Sequence, residues 1–564
     1  MITPVALLDR RLPQPGCYFS LTEKINNFVQ ESNRKHPFSM KKITLFSLLL
    51  CFVFTGNAQI NITQQTTFGG SKSEWFQKMM KVGSSYYFAG TSNSDVSFDK
   101  AEPSRGMDDF WVIKTDTAFN IIWQRTIGGN RGDFLSSITH TADAGILLFG
   151  TSSSDSSGEK SANGFGHSDY WLVKLSDDGT ILWDLTIGGS NSDFGYTVLE
   201  LKDGSLLLGG CSNSDSSGLR TQFLRGLRDF WLVKIDQQGA VIWNRAYGGN
   251  GVDWFGDMAL YHDTLLIMTG ISDSPASYEK SSNGYGDWDI WVVCVNLDGD
   301  LVWETTLGGN GDDRGIPIVF GNYIYIIGSS DSDISGTKTE NSKGGYDFWI
   351  NKLDIAGNII WDRTIGGTNN DAASAAVVSS NGRIVMAGAS ASGISGDKTE
   401  PNRGWGDYWV VAIDTNGVVL WDKTFGGSMP DVSRSIIETF PGRFIVAGTS
   451  ESGFSGDKTF SLKGEREFWV VEFDITTGVT KHHSLNAGMD IYPNPASSIV
   501  HFELEESTEK ISSIALYDIH GRQVAEWHPQ NHTAALDISH LSGGIYLARA
   551  TVGQKVITRK VVVR

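Results

Sequence analysis

Cysteine is scarce in this chain, at four residues of 564, and only Cys211 and Cys294 lie beyond the first 58 positions. They fall in different repeats and on different expected strands, which excludes a disulfide framework as the stabilising device. Basic charge is also short, with 46 Lys and Arg against 64 Asp and Glu, a net −18. A surface this acidic excludes nucleic acid and anionic membrane faces as natural partners, since both are recognised through basic clusters. It suits high solubility and divalent cations. The longest apolar run, Ile43 to Phe54, is too short to span a bilayer. No segment holds a 3.6-residue period, and β-branched and aromatic residues dominate the apolar stretches, so helices are not expected. Catalytic signatures are missing as well: there is no Gly-x-Ser-x-Gly elbow and no Cys-x-x-Cys pair, and the histidines of the repeated region, His140, His167, His262, His482 and His483, stand in no metal-ligand spacing.

What the chain has is repetition. A Gly-Gly pair recurs at residues 69, 128, 188, 248, 308, 366 and 426, about every 60 residues. An acid follows each pair at the same offset: Glu74, Asp133, Asp193, Asp253, Asp313, Asp371 and Asp431. Further on, an acid and a mostly aromatic residue precede Trp111, Trp171, Trp231, Trp291, Trp349, Trp409 and Trp469. A second tryptophan follows at 123, 183, 243, 303, 361 and 421. A fixed period of this size indicates stacked or circular repeats.

Within the second copy, 134–141, 146–152, 169–175 and 180–186 read as short strands divided by Gly and Asp turns. In the third of these, Trp171, Val173 and Leu175 share one face while Tyr170 and Leu172 share the other, so the sheet must be covered on both sides. A four-stranded sheet held between copies of itself is a β-propeller blade, and seven blades lie within the usual range of about four to eight. The expected fold class is therefore all-β: a seven-bladed β-propeller over residues 59–487, then a small C-terminal β-sandwich over 488–564. A right-handed β-solenoid is the runner-up. Two segments could complete the last blade: 60–68, with Gln64 where the tryptophan belongs, and 478–485, with His482 there. The N-terminal segment is favoured because it ties down an end that otherwise has no partner.

The flanks differ from the array. Residues 40–58 run from Met40-Lys41-Lys42 through the apolar stretch to Asn57-Ala58, the order of a secretory signal peptide cleaved after Ala58. Residues 1–39 carry no signal character and read as an upstream start chosen in error. Without residues 1–58 the chain holds 39 basic and 61 acidic residues, a net −22.

The array pattern, represented by Ile187-Gly188-Gly189, Asp193, Trp171 to Leu175 and Asp178-Gly179, resembles the bacterial seven-bladed β-propeller repeat family known as SBBP. That repeat implies a fold and no particular activity. The final segment carries Ile491-Tyr492-Pro493-Asn494-Pro495, Ala515 to Arg522, Leu541 to Leu547 and Lys560 to Val563. In order and spacing these words resemble the type A C-terminal sorting domain of the type IX secretion system of Bacteroidota. The resemblance implies Sec export, passage across the outer membrane through the type IX machinery, and release or attachment at the cell surface.

Up-and-down strands put the long Ser/Asp/Gly loops and the Gly-Gly turns on one rim, the expected functional face. The repeated acids could be imagined as calcium ligands, and calcium is the one cofactor this composition suggests. Their presence in every copy points instead to a local task, accepting backbone N–H groups in the turns. The same holds for Asp109, Asp169, Asp229, Asp289, Asp347 and Asp407. Lys100, Lys160, Lys280, Lys338, Lys398 and Lys458, with Arg220 in the third copy, are expected as ion-pair partners or solvated loop charges.

A ligand site should break the symmetry. Trp75, Phe134, Phe194 and Trp254 follow the turn acid in the first four copies, where the last three have Arg314, Ala372 and Val432. Phe165, Tyr285 and Trp405 tip three long loops. Exposed rings of this kind stack on sugars or anchor protein partners. The expected function is thus a binding or adhesion module with a glycan or protein ligand. A secreted polysaccharide-acting hydrolase or lyase, and a structural surface protein without a discrete ligand, are the alternatives.

Overall fold

The computed structural model describes residues 59–476, 489–492, 496, 498–504, 510–518, 521–531, 533–552 and 555–563. The signal-like segment, the residues before it and the second closing candidate at 478–485 lie outside these. Among the described residues there are strands and turns and no helix.

Residues 59–476 form seven four-stranded antiparallel sheets. The first strand of the chain, β1 (Gln59–Phe68), does not start the first sheet. That sheet is β2 (Glu74–Val82), β3 (Ser85–Ser92), β4 (Asp109–Thr115) and β5 (Ile121–Ile127). Five more follow the same order, ending at Ile187, Tyr247, Leu307, Ile365 and Phe425. The last combines Asp431–Phe440, Arg443–Ser450 and Glu467–Thr476 with β1, which pairs with Glu467–Thr476 so that Phe68 faces Phe468. Two side chains show β1 standing in for a fourth strand. Gln65 accepts from the Trp469 Nε1 at 3.1 Å, as Asp184 does from Trp171 at 2.9 Å. Gln64, in the tryptophan position, donates to the Ala118 carbonyl at 2.8 Å, as Trp123 does to Asp177 at 2.9 Å.

The middle two strands of each sheet are almost wholly buried because both faces are covered by neighbouring sheets. All seven tryptophans of the third strands are 0% exposed. Each sits beside the residue preceding the tryptophan of the blade before it. Phe110 and Trp171 have centroids 5.0 Å apart, Tyr170 and Trp231 4.9 Å, and Tyr408 and Trp469 5.0 Å. Phe468 and Trp111, at 5.1 Å, continue the series from the last blade to the first. Opposite each tryptophan is a glycine; a Cβ on Gly150 would stand 2.0 Å from the Phe134 carbonyl oxygen, so only glycine admits the first strand here. The first strands of successive blades lie against one another and surround the axis, while the fourth strands carry exposed aliphatics such as Ile122 and Leu182 on the outside. The arrangement is a propeller-like repeat fold.

Residues 489–563 form a separate pair of sheets. One holds Met489–Tyr492, Ile499–Leu504 and Thr533–Asp537; the other holds Ile511–Tyr517, Gln523–Trp527, Gly544–Val552 and Lys555–Val563. Val500, Phe502, Ile514, Leu516, Ala548 and Val561 fill the core between them.

Candidate functional site

The repeated acids are built into the turns. Each turn acid is buried and accepts the amide of the second glycine four residues earlier, at 2.6 to 2.9 Å. In six copies the acid before the tryptophan accepts an amide from its own long loop, as Asp169 does from Phe165 at 2.9 Å and Asp289 from Tyr285 at 2.7 Å, whereas Glu467 pairs with Lys458 instead. Burial pushes the carboxyls of Asp133, Asp169, Asp253, Asp313 and Asp407 up to about 6. Among the described residues, no three His, Cys, Asp or Glu side chains are grouped to hold a metal ion.

The loop lysines correct the expectation of solvated charges. Lys100, Lys160, Lys280, Lys338, Lys398 and Lys458 are buried, and so is Arg220. The long loop folds back over the seam between blades, so the lysine stem passes near the blade tryptophan, with Lys338 5.3 Å from the Trp349 ring. In five of the six the ammonium then donates to a threonine of the fourth strand, as Lys280 does to Thr306 at 2.8 Å and Lys338 to Thr364 at 2.5 Å, while Lys458 donates to Ser450 at 2.8 Å. Direct buried ion pairs occur at Lys458 with Glu467, 2.8 Å, and Arg220 with Asp229, 2.6 Å. Burial lowers Lys100 and Lys398 to about 8.

Phe165 and Tyr285 occupy a seam position that elsewhere carries a charge. Arg105 meets Glu159 of the next blade at 2.8 Å, Arg403 meets Asp457 at 2.9 Å, and Lys343 meets Asp397. In the two aromatic copies the ring covers the next loop instead: a Cβ on Gly218 would lie 3.2 Å from Phe165, and one on Gly336 2.7 Å from Tyr285. Trp405 stands apart, 78% exposed at a loop tip.

The residues after the turn acids face the axis near the long-loop end. Phe194 and Trp254 are stacked with centroids 6.1 Å apart, and Trp254 donates its Nε1 to Tyr196 at 2.6 Å. Arg228 covers the Trp254 ring at 3.8 Å, and Arg466 covers Trp75 at 4.0 Å. Two residues further along, six of the seven first strands carry a β-bulge, at Gln77, Ser136, Tyr196, Gly256, Ser374 and Arg434. A bulge re-aims its extra residue away from the ladder. The fifth copy pairs without a bulge, Ile316 facing Ile327.

Around that regular strand the axis opens into a cavity of about 690 Å³, lined by Trp254, Gly256, Arg314, Ile316, Ala372 and Arg434 among others. Gly256, Gly315 and Ala372 to Ser374, in copies four to six, leave the space open beside Trp254. A larger depression of about 820 Å³ lies at the short-turn rim, but its charges are matched: Lys174 with Asp143 at 2.5 Å and Lys202 with Asp263 at 2.8 Å. In the axial cavity, Arg314 lies 4.0 Å from Asp312 and 5.7 Å from the centre of the Tyr346 ring. Arg434 has no hydrogen-bond or ion-pair partner among the described residues. Of the seven aromatic candidates, the structure brings Trp254 to this cavity and Trp75 to a small adjoining one of about 90 Å³ with Val432 and Arg434. In the sequence Arg314 stands out only as a copy lacking the aromatic, and Arg434 does not stand out, because the symmetry break is most visible in the aromatics. Arg434 was legible only by comparing the bulge position copy by copy.

Residues 490–564 match the family described as the secretion system C-terminal sorting domain. This segment is a secretion-system sorting domain. The sorting domain marks the chain as a secreted protein handled by the type IX system. Among the described residues no helix is long and apolar enough to cross a membrane. Among curated proteins, the regulatory protein FlaEY of Caulobacter vibrioides is 22% identical over 421 residues, covering 67% of this chain. The chain spans 43% of that protein's length. Among solved structures, PorZ, a surface component of the type IX secretion system of Porphyromonas gingivalis, is 12% identical. It covers 88% of this chain and 71% of its own, with a TM-score of 0.30. Hydrazine synthase of Kuenenia stuttgartiensis is 12% identical over 55% of this chain and 74% of its own, at 0.35. Scores this low carry no argument, and the fold rests on the strand pairings.

Proposed function

We propose that the protein is an exported binding module which takes a glycan or protein ligand at the axial cavity and displays it outside the cell. Residues 40–58 serve as the Sec signal, and the sorting domain delivers the propeller to the outer surface, where it is released or attached. The observation that supports this reading is the local loss of repeat symmetry: one unbulged first strand, flanked by small residues, opens the axis beside Trp254. A cavity of about 690 Å³ with an apolar wall and a few polar groups has the size and character of small-molecule and glycan sites. The buried repeated acids and lysines are committed to turns and seams, which removes them as a reactive constellation. A glycan array and a surface pulldown with the purified secreted protein test the reading. Enrichment of a ligand that is lost on Trp254→Ala supports it, and the absence of any enriched ligand overturns it.

A further inference from the structure

The axial cavity carries a charge opposite to that of the protein around it. The chain is net −18, yet the charged groups lining the cavity are Arg314 and Arg434; the acids nearby lie outside that lining, Asp312 at 4.0 Å from Arg314 and Glu451, paired with Arg466 at 2.7 Å, in the small adjoining cavity. Arg434 is solvent-exposed, and desolvation nevertheless holds its guanidinium below the ordinary arginine value. Both observations fit a side chain facing a confined, water-filled space walled by protein. Its bulge turns it off the ladder and toward the axis, and nothing among the described residues neutralises it. An unpaired guanidinium in such a space focuses the field on an incoming anion, and its planar fork matches a carboxylate.

Resting on the binding reading above, we propose that the ligand is an acidic saccharide, with a sugar carboxylate on Arg434, Arg314 as the second cation, and a neighbouring sugar ring against Trp254. The aromatic wall favours a saccharide over an acidic peptide. Trp254 is held rigid by Phe194, by Arg228 and by its bond to Tyr196, and a fixed ring is a ready platform for the C–H face of a sugar. The lining also includes Gly256, Gly315 and Ala372, which leave room for a ring and offer few groups to read peptide side chains.

The test uses purified secreted protein and calorimetric titration with trimers of galacturonate, glucuronate and mannuronate, each beside its methyl ester. Polyglutamate serves as the peptide probe. Arg434→Gln and Arg314→Gln are measured in parallel, with thermal melting as a check on folding. The expected result is tenfold or greater preference for at least one free uronate trimer over its ester. That preference should be lost in Arg434→Gln and weakened in Arg314→Gln, with melting unchanged. Equal binding of acid and ester overturns this inference and leaves the binding reading standing, as does binding of polyglutamate alone. If Arg434→Gln melts as the parent does and keeps its preference for the acid, the assignment of Arg434 is wrong. Failure of every probe here, together with an empty glycan array and pulldown, overturns both.

Discussion

The ammonium of Lys280 lies 2.8 Å from the Thr306 hydroxyl oxygen, with both side chains sealed from solvent. The nearby carboxylates of Glu304, Asp253 and Asp289 favour its charged form, while burial opposes it. Lys280→Met keeps the stem and removes the charge, which leaves the acids uncompensated. Loss of one member of a buried charged group costs about 3 kcal/mol or more at pH 7.5. At pH 5 the loss should shrink, because Asp253, raised to about 6, can take up a proton. Urea denaturation at the two pH values measures this, and a variant as stable as the parent at both would show the lysine to be mere filler.

Five buried carboxyls, Asp133, Asp169, Asp253, Asp313 and Asp407, titrate near 6 in the folded chain. Unfolded aspartates release their protons at about 4, so between about pH 4 and 6 the folded state binds more protons. Their contribution to stability is present in full at the acid end of that window and is lost as pH rises through 6. The thermal midpoint should therefore be higher at pH 5 than at pH 7.5. Exposed acids with depressed values, such as Asp143 at about 2, act in the opposite sense only at lower pH. A midpoint that is flat or falling from pH 7.5 to 5 contradicts the burial of these groups.

Trp231 is 0% exposed and packs on Tyr170, while Trp405 is 78% exposed. Truncation of Trp231 to alanine should cost roughly 3–5 kcal/mol, and that of Trp405 within about 0.5 kcal/mol of nothing. Comparable losses for the two would mean that Trp405 is covered in solution.

One loop position is left-handed in all seven copies. Glycine holds it in five, with φ near 56°, but Phe98 and Tyr278 adopt φ of 47° and 49°. A side chain there costs about 1–2 kcal/mol, partly offset by the extra freedom glycine has when unfolded. Phe98 is 69% exposed and loses little packing, so Phe98→Gly should stabilise by roughly 0.5–1 kcal/mol. A destabilised variant would reveal a packing role for the ring.

Repeat number, blade strands and the core tryptophans were legible because they recur with their offsets intact. The loop lysines were not, since a lysine in a Ser/Asp/Gly stretch looks the same whether the loop waves in solvent or folds over a seam. Phe165 and Tyr285 misled for a related reason: they stand where Arg105 and Lys343 pair with Glu159 and Asp397 in other copies, while across their own seams the acid gives way to Leu219 and Thr337, a matched exchange visible only once the seam partners are known. Arg434 needed the bulge, a backbone feature that leaves no residue signature of its own.

The bond from Trp469 to Gln65 joins residues 404 positions apart. Every other blade is assembled from one continuous stretch and can form as it is made, but the last one waits for the far end of the array to return to its beginning. Such distant pairing is slow to find, so a half-made array leaves β1 as an unpaired strand until Glu467–Thr476 is made and docks on it. The clasp therefore makes the last sheet depend on both ends of the repeated region, so a chain cut short anywhere before residue 467 leaves β1 without its partner.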